Sequence, residues 1–400
     1  MNPHFAYCLS FLIALLAYGL GWSNLYPKLE IAVIAFLGAT IALHFIMGWR
    51  WRKNSAFAYA RVASQKLMLH SGITIFVYVL WTFDFLWEGG IPLIKILLNQ
   101  PYDYRLFGAP SIHVFTVTFA SFYTVYLFHE YLSHRQKTIL LLYFINLAAA
   151  ILIYSRAMFV FNLIASVFLL IMSMKTISFR FVVSSAFGLL LLGYGFGVLG
   201  TLRVSREAES PYDNTLFLKI GDAAPSFRNS MVPDEYFWGY MFMTSPLANF
   251  QYNINHAAEN SFTINRFAGM VNNEILMDFI SKRINALTGS ARENDRTIFP
   301  SFNVSTVYSR SFNYVGWSGI IFMAIIVLAI PWLYLKLLPT SSPFFMTGVA
   351  ILSTMFLFLA YDNTIRFTGL ALQLAYPVLF TIAIKHSSFF RKKQSQLSSL

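Results

Sequence analysis

Residues 138–174 read TILLLYFINLAAAILIYSRAMFVFNLIASVFLLIMSM, and Arg156 is the one charge in these 37 positions. A straight helix of that length rises about 55 Å, against a hydrocarbon layer of about 30 Å. One helix would overshoot the bilayer almost twofold. The stretch therefore predicts two membrane-length helices, about 138–155 and 157–174, turning at Tyr154-Ser155-Arg156-Ala157.

The same reading carried in both directions yields ten apolar runs, near 4–22, 29–49, 67–87, 112–129, 138–155, 157–174, 181–200, 313–335, 343–360 and 367–384. Each is close to the ~20 residues that cross the hydrocarbon. Hydrophobic residues make up 57% of the chain and charged residues 12%, where soluble domains carry about 25% charged. The expected fold is an all-α integral membrane protein with about ten transmembrane helices. Residues 1–200 hold the first seven, 201–312 form one long polar loop, 313–384 hold the last three, and 385–400 make a basic tail. The first run has neither a basic segment before it nor a small-residue cleavage site after it, so it reads as a retained helix. The single cysteine, Cys8, lies inside that helix, which excludes a disulfide framework and a cysteine metal site.

Orientation follows from the basic residues. With the N-terminus in the cytoplasm, the loops on that side hold fourteen Lys and Arg and one acid, Glu130. The short loops opposite hold five of each sign, and 201–312 holds ten bases and eleven acids. The net charge of +12 thus arises on one face, the positive-inside pattern. It predicts both termini in the cytoplasm and residues 201–312 outside. It also accounts for the charge through anionic membrane lipids, without nucleic acid as a partner.

The long loop opens with RVSREAESPYDN (203–214), whose Pro211 predicts irregular chain. Next comes PDEYFWGYMFMTSPLANFQYNI (233–254), where Pro233-Asp234-Glu235 is a helix start. Pro246 cuts it, so an interfacial or re-entrant piece is expected. From Ser261 to Leu287, apolar residues at Phe267, Met270, Val271, Ile275, Leu276, Phe279, Ile280, Ile284 and Leu287 fall on one face of a helix, which should roof the bundle. A packed subdomain without chemistry is the plain alternative.

Five arginines sit at the outer ends of the runs: Arg156 in the hairpin, Arg203 and Arg206 after the seventh run, Arg310 before the eighth and Arg366 at the tenth. Guanidinium forks match phosphate oxygens, so such a rim would clamp a lipid-linked diphosphate. Each arginine alone also reads as a headgroup anchor. For proton transfer the loop offers Asp234, Glu235, His256, Glu259, Glu274 and Asp278. His256 and Glu259, in NINHAAEN, stand between the two amphipathic pieces, and an imidazole there could take a sugar hydroxyl proton. A solvated loop histidine is the bland reading. Tyr236, Trp238, Tyr240 and Tyr252 could stack on sugar faces or form an interface belt. Asp84 and Glu88 flank the outer end of the third run, to pair with Arg105 or face water. Glu293-x-Asp295 is a weak pattern for a divalent cation, and no metal is expected.

These residues also carry a likeness. Glu88-Gly89-Gly90-Ile91-Pro92-Leu93-Ile94 followed by Tyr104-x-x-Phe107-Gly108-Ala109-Pro110 resembles the second outer loop of Wzy-type oligosaccharide repeat-unit (O-antigen) polymerases. Ser155-Arg156 is similar to that family's serine–arginine hairpin, YMFMTSPLANF (240–250) to its long-loop segment, and Asn303-x-x-Thr306 through Gly316-x-x-Gly319 to its entry into the next helix. Where many members carry an aspartate before the first of these last two glycines, this chain has Tyr314-Val315. The resemblance implies a GT-C-like glycosyltransferase of the bacterial inner membrane, inverting and independent of metal or other cofactor. It would act on the periplasmic face upon undecaprenyl-diphosphate-linked oligosaccharide, moving the growing glycan onto the newest repeat unit. A chain-length regulator of polysaccharide assembly is a further implied partner. In that scheme Arg156, Arg203, Arg206, Arg310 and Arg366 hold the diphosphate, and His256 or Glu259 activates the acceptor.

Two other functions fit the same layout. An O-antigen ligase shares the architecture and donor but delivers the glycan to lipid A core. A transporter or flippase would place ionisable residues or broken helices near the midplane, often in repeated halves. Here the runs are almost free of charge away from their ends.

Overall fold

The computed structural model describes the backbone of residues 1–53, 58–98, 100–103, 107–174, 176–207, 214–256, 262–299 and 302–397. The helices of the first half are α1 (Pro3–Gly19), α2 (Ile31–Lys53), α3 (Leu67–Trp87), α4 (Pro92–Leu97), α5 (Ile112–His134), α6 (Lys137–Leu152), α7 (Arg156–Ser173) and α8 (Phe179–Glu207). The insertion holds α9 (Asn214–Ile220), α10 (Pro225–Arg228), α11 (Tyr236–Asn255), α12 (Ile264–Met270), α13 (Asp278–Thr288) and α14 (Ser309–Val315). The chain then closes with α15 (Trp317–Leu337), α16 (Phe345–Leu357), α17 (Thr368–Ala371) and α18 (Ala375–Leu397). Among the described residues there is no β-strand, only one isolated antiparallel bridge, Ser23 with Ala223.

A helix stands at each of the ten apolar runs. Among the described residues, seven stretches are long and apolar enough to cross a membrane: α2, α3, α5, α7, Phe179–Leu202 of α8, α15, and Thr368–His386 through α17 and α18. Three more are apolar but shorter, α1, α6 and α16. The protein is an all-helical, membrane-embedded one. The hairpin at Ser155 is formed: Tyr154 takes a left-handed φ of 55°, and the Ser155 hydroxyl accepts the Met158 N–H at 3.3 Å as N-cap of α7. Arg135, also left-handed, turns α5 straight into α6.

Helix α16 is the centre. Every residue from Phe345 to Phe356 is buried, and it packs against α1, α5 and α7. A helix apolar on all sides needs such a position. Its 13 residues span only about 20 Å, so it stops short of a full crossing.

The insertion fills the space beyond it. Tyr308 donates to or accepts from the Tyr7 hydroxyl at 2.6 Å, and Tyr7 also bonds Thr40. Tyr7 lies twelve positions before Gly19, or about 18 Å down α1 from the end the insertion enters. The Val307 N–H reaches the Leu359 carbonyl just past α16, and Leu247 and Phe250 join the same buried core. Residues outside the ten apolar runs thus reach deep inside the bundle.

Three expectations about this insertion are corrected. The opening stretch from Arg203 is not irregular at its start, because α8 continues as helix through Glu207. Pro246 does not cut its segment: α11 runs unbroken from Tyr236 to Asn255, with Thr244 through Gln251 all buried. Packing against α1 and α8 holds the helix across the lost backbone bond. The expected single helix at 261–287 is instead broken, with α12 followed by a π-helical turn (Val271–Ile275), extended Leu276–Met277, and α13. Ser261 lies outside the described residues.

Helix α8 stands at the periphery, with only 6% of its apolar window buried. Its small residues let α11 approach: Gly197 faces the Glu235 carbonyl, Gly200 the Trp238 indole and Gly193 the Tyr236 ring. The Tyr236 hydroxyl donates to the Leu190 carbonyl at 3.1 Å.

Candidate functional site

A group of interlocked charges lies where the insertion meets the loop after α16. Asn249 and Asn253, four apart on one face of α11, begin the construction. The Asn249 amide donates to the carbonyls of Phe302 (2.7 Å) and Val304 (2.8 Å), and its oxygen accepts from the Ile298 N–H. Asn253 donates to the Arg296 carbonyl and accepts from the Arg296 N–H and the Asn313 amide. These bonds hold an irregular strip against α11 and set Asp295 beneath α14. There Asp295 accepts from Ser309 at 2.8 Å and Asn313 at 3.1 Å, and lies 3.1 Å from Arg310 Nε.

The second half comes from the break between α12 and α13. Extended backbone at Leu276 and Met277 frees the first turn of α13, whose amides find partners just before α17 and at its first residue. The Asp278 N–H donates to the Arg366 carbonyl at 2.8 Å and the Phe279 N–H to Thr368 Oγ1 at 3.0 Å. Arg366 Nη1 in turn binds Asp278 Oδ1 at 2.7 Å. Glu274, fully buried on the π turn, takes Arg292 at 3.0 and 3.2 Å and the Asn363 amide at 3.0 Å, and lies 3.7 Å from Arg366 Nε.

Asp362 joins the two halves. Its Oδ1 is 3.9 Å from Arg310 Nη1 and 3.7 Å from Arg366 Nη2, and its side chain is 41% exposed. Three guanidiniums therefore face four carboxylates, and Asp362 is the most open of the seven side chains. The Arg366 Nε–H is buried without a hydrogen-bond acceptor among the described residues.

Burial sets the protonation of these groups against their partners. Desolvation pushes the Asp295 carboxyl above its ordinary range, although Arg310 and Ser309 oppose it. Burial opposes the Arg310 charge, yet Asp295, Glu274, Asp362 and Asp278 together hold its guanidinium above the ordinary value. Arg292 is lowered, first by burial; Glu274 favours its charge, and Arg310 and Arg366 disfavour it.

Of the five arginines expected at one rim, Arg310 and Arg366 are brought together. Arg156 is not: it is the first residue of α7, exposed, with no ion pair or hydrogen bond among the described residues. The side chains of Arg203 and Arg206 lie outside the described set, as does Glu259. His256 caps α11 at an exposed position, its Nδ1 2.9 Å from the Tyr252 carbonyl and its ring 4.1 Å from the Tyr252 ring. Its own carbonyl accepts from Arg296. It is not among the charged group but borders it through Arg296.

The aromatic set needs correction. Tyr240 is 2% exposed, its hydroxyl accepting the Trp22 N–H at 3.0 Å. Trp238 stacks on Phe217 at 4.2 Å and presses on Gly200, while Tyr236 pins α8. Tyr240 is thus closed to a sugar by burial, Trp238 and Tyr236 are half-buried and engaged in packing α8 and the insertion, and Tyr252 alone of the four stands beside an exposed candidate. Asp84 does not face water, and Glu88 is half-buried. Asp84 is buried, accepting the Ala109 N–H and lying 2.9 Å from His113 Nδ1, and Glu88 accepts the Gly108 N–H. They fasten the loop across the end of α3; Tyr104 and Arg105 lie outside the described residues.

Fold and site together define a helical membrane protein with an arginine–carboxylate site built at the junction of a long insertion and the end of a short central helix. Neither the family models, nor the curated proteins, nor the solved structures compared with this chain give a match.

Proposed function

We propose that the protein is a membrane glycosyltransferase that polymerises undecaprenyl-diphosphate-linked oligosaccharide repeat units into an O-antigen or related surface polysaccharide. In this reading ten helices span the bacterial inner membrane, both termini are cytoplasmic, and the site opens to the periplasm. One observation carries it: Arg310 and Arg366, far apart in sequence, each bring a guanidinium nitrogen within 4.0 Å of the half-open Asp362 carboxylate, beside a buried Nε–H with no hydrogen-bond acceptor among the described residues. Such paired edges suit the oxygens of a diphosphate.

The acceptor hydroxyl attacks the anomeric carbon of the lipid-linked glycan as its proton passes to His256. The bond to the diphosphate breaks, and its electron pair goes to the leaving phosphate oxygen. Arg310 and Arg366, pre-set by Asp295 and Asp278, stabilise that charge as it develops. Tyr252 offers the adjoining ring for a sugar face.

The test is glycan synthesis by purified protein from a lipid-linked repeat unit. Arg310→Lys and Arg366→Lys should each cut transfer by on the order of 10²-fold, since a lysine lacks the two-pronged donor. Ladders of unchanged length and yield from both variants would remove the arginines from the reaction. A transporter remains the competing class because Glu130 and His70 are buried 3.9 Å apart in α5 and α3. Ion-coupled flux in proteoliposomes without polymer formation would select it. Attachment of single repeats to core in a deletion strain separates polymerase from ligase.

A further inference from the structure

The two bridging arginines are not held equally by their acids. Arg310 has a short partner in Asp295 at 3.1 Å, and Arg366 has one in Asp278 at 2.7 Å. Both then share Asp362 Oδ1 at a looser 3.9 and 3.7 Å. Asp295 and Asp278 therefore aim the guanidiniums, whereas Asp362 stands in front of the edges they present. Its own position is fixed by the chain: its N–H donates to the Phe358 carbonyl, and its Oδ1 accepts the Asn363 N–H at 2.7 Å. It is a carboxylate placed, half open, at the mouth of an anion seat.

A membrane protein has a reason to carry such a group. The surrounding bilayer supplies phosphodiester headgroups, each with one negative charge, at very high local concentration. A bare arginine pair would fill with them. We propose that Asp362 is a specificity-determining residue that excludes singly charged phosphodiesters from the Arg310–Arg366 seat and admits a doubly charged diphosphate ester. With Asp362 in place the carboxylates outnumber the guanidiniums by one, so a single phosphate meets net repulsion and gains at most one arginine edge. A diphosphate brings two anionic groups, one for each edge, and can displace the loosely held carboxylate. Discrimination by a repulsive element is a general route to specificity. The inference rests on the diphosphate reading above.

The test compares binding of two short-chain ligands to the full-length protein in detergent: farnesyl-diphosphate-linked N-acetylglucosamine and farnesyl-monophosphate-linked N-acetylglucosamine. The parent should prefer the diphosphate by about tenfold or more, the scale expected of an uncompensated like charge. Asp362→Asn should bring the two within about threefold, through tighter binding of the monophosphate, and should gain retention of phosphatidylglycerol in native mass spectrometry. Asp362→Glu, which keeps the charge, should keep the preference, and Asp362→Ser gives a second neutral variant if the amide disturbs the loop. A parent that is selective while both neutral variants are equally selective overturns the role of Asp362 and leaves the diphosphate reading standing. Loss of selectivity through weaker diphosphate binding alone also overturns it, since that is what a merely structural aspartate would do. A parent that binds neither ligand overturns the diphosphate reading itself.

Discussion

Asp295 is the residue on which the site turns. It is buried, it fixes Arg310, and its carboxyl titrates above the ordinary range because burial penalises the charge. A carboxyl raised in this way contributes stability below its unfolded pKa of about 3.9, and that contribution is lost as the pH rises through the folded value. The gap in thermal midpoint between the parent and Asp295→Asn should therefore shrink as the pH is raised from about 4 toward neutrality. The variant should remain within about 3 kcal/mol of the parent, because the amide oxygen can still accept from Ser309. Scanning calorimetry across pH checks it; a gap that widens with pH contradicts the burial argument. In the sequence Asp295 carries no periodic signal and reads only as half of a chance acidic pair. What reveals it is contact with Ser309, Arg310 and Asn313, across a turn that periodicity does not register.

Between residues and molecule, the elements were legible in proportion to how local their causes are. The hairpin at Ser155 and the helix start near Asp234 follow from nearby spacing and capping. The continuity of α11 through Pro246 and the break at Leu276 do not, since both are decided by what packs on them: α1 and α8 on one side, Arg366 and Thr368 on the other. The joint of α14 and α15 is set by glycine. Gly316 has φ 66° and ψ −147°, a region closed to side chains, and a Cβ on Gly319 would overlap the Ser311 carbonyl. Gly316→Ala should lower stability by about 1–3 kcal/mol, and it should also weaken transfer by shifting α14, which carries Arg310. Thermal unfolding in detergent alongside the polymerisation assay measures both. A variant with parental values in each would show that the joint tolerates a side chain.

For the whole molecule, the distribution of charge makes a statement about sidedness that a single thiol can examine. In a Cys8→Ala background, Met231→Cys occupies a fully exposed position of the insertion, and Lys137→Cys an exposed one at the α5–α6 turn. A membrane-impermeant maleimide added to intact spheroplasts should label the first and spare the second until the membrane is permeabilised. The reverse pattern would place the insertion in the cytoplasm and end the proposed reaction. The order of the apolar helices was readable because seven of them, among the described residues, have the length that a bilayer imposes. That the insertion reaches down to Tyr7 was not, because its anchors, Tyr308 and Phe250, look like any other interfacial aromatics until α1 and α16 are seen beside them. The central place of α16 has a consequence for biosynthesis. Helix α1 is translated long before its partner α16 and before the Tyr308 that bonds Tyr7. Until then His4 pairs with His44 and Tyr7 with Thr40, but Tyr308 and Phe356, which complete their surroundings, are absent. A nascent chain stalled before α16 therefore keeps one side of α1 against lipid and leaves the Tyr7 hydroxyl one partner short.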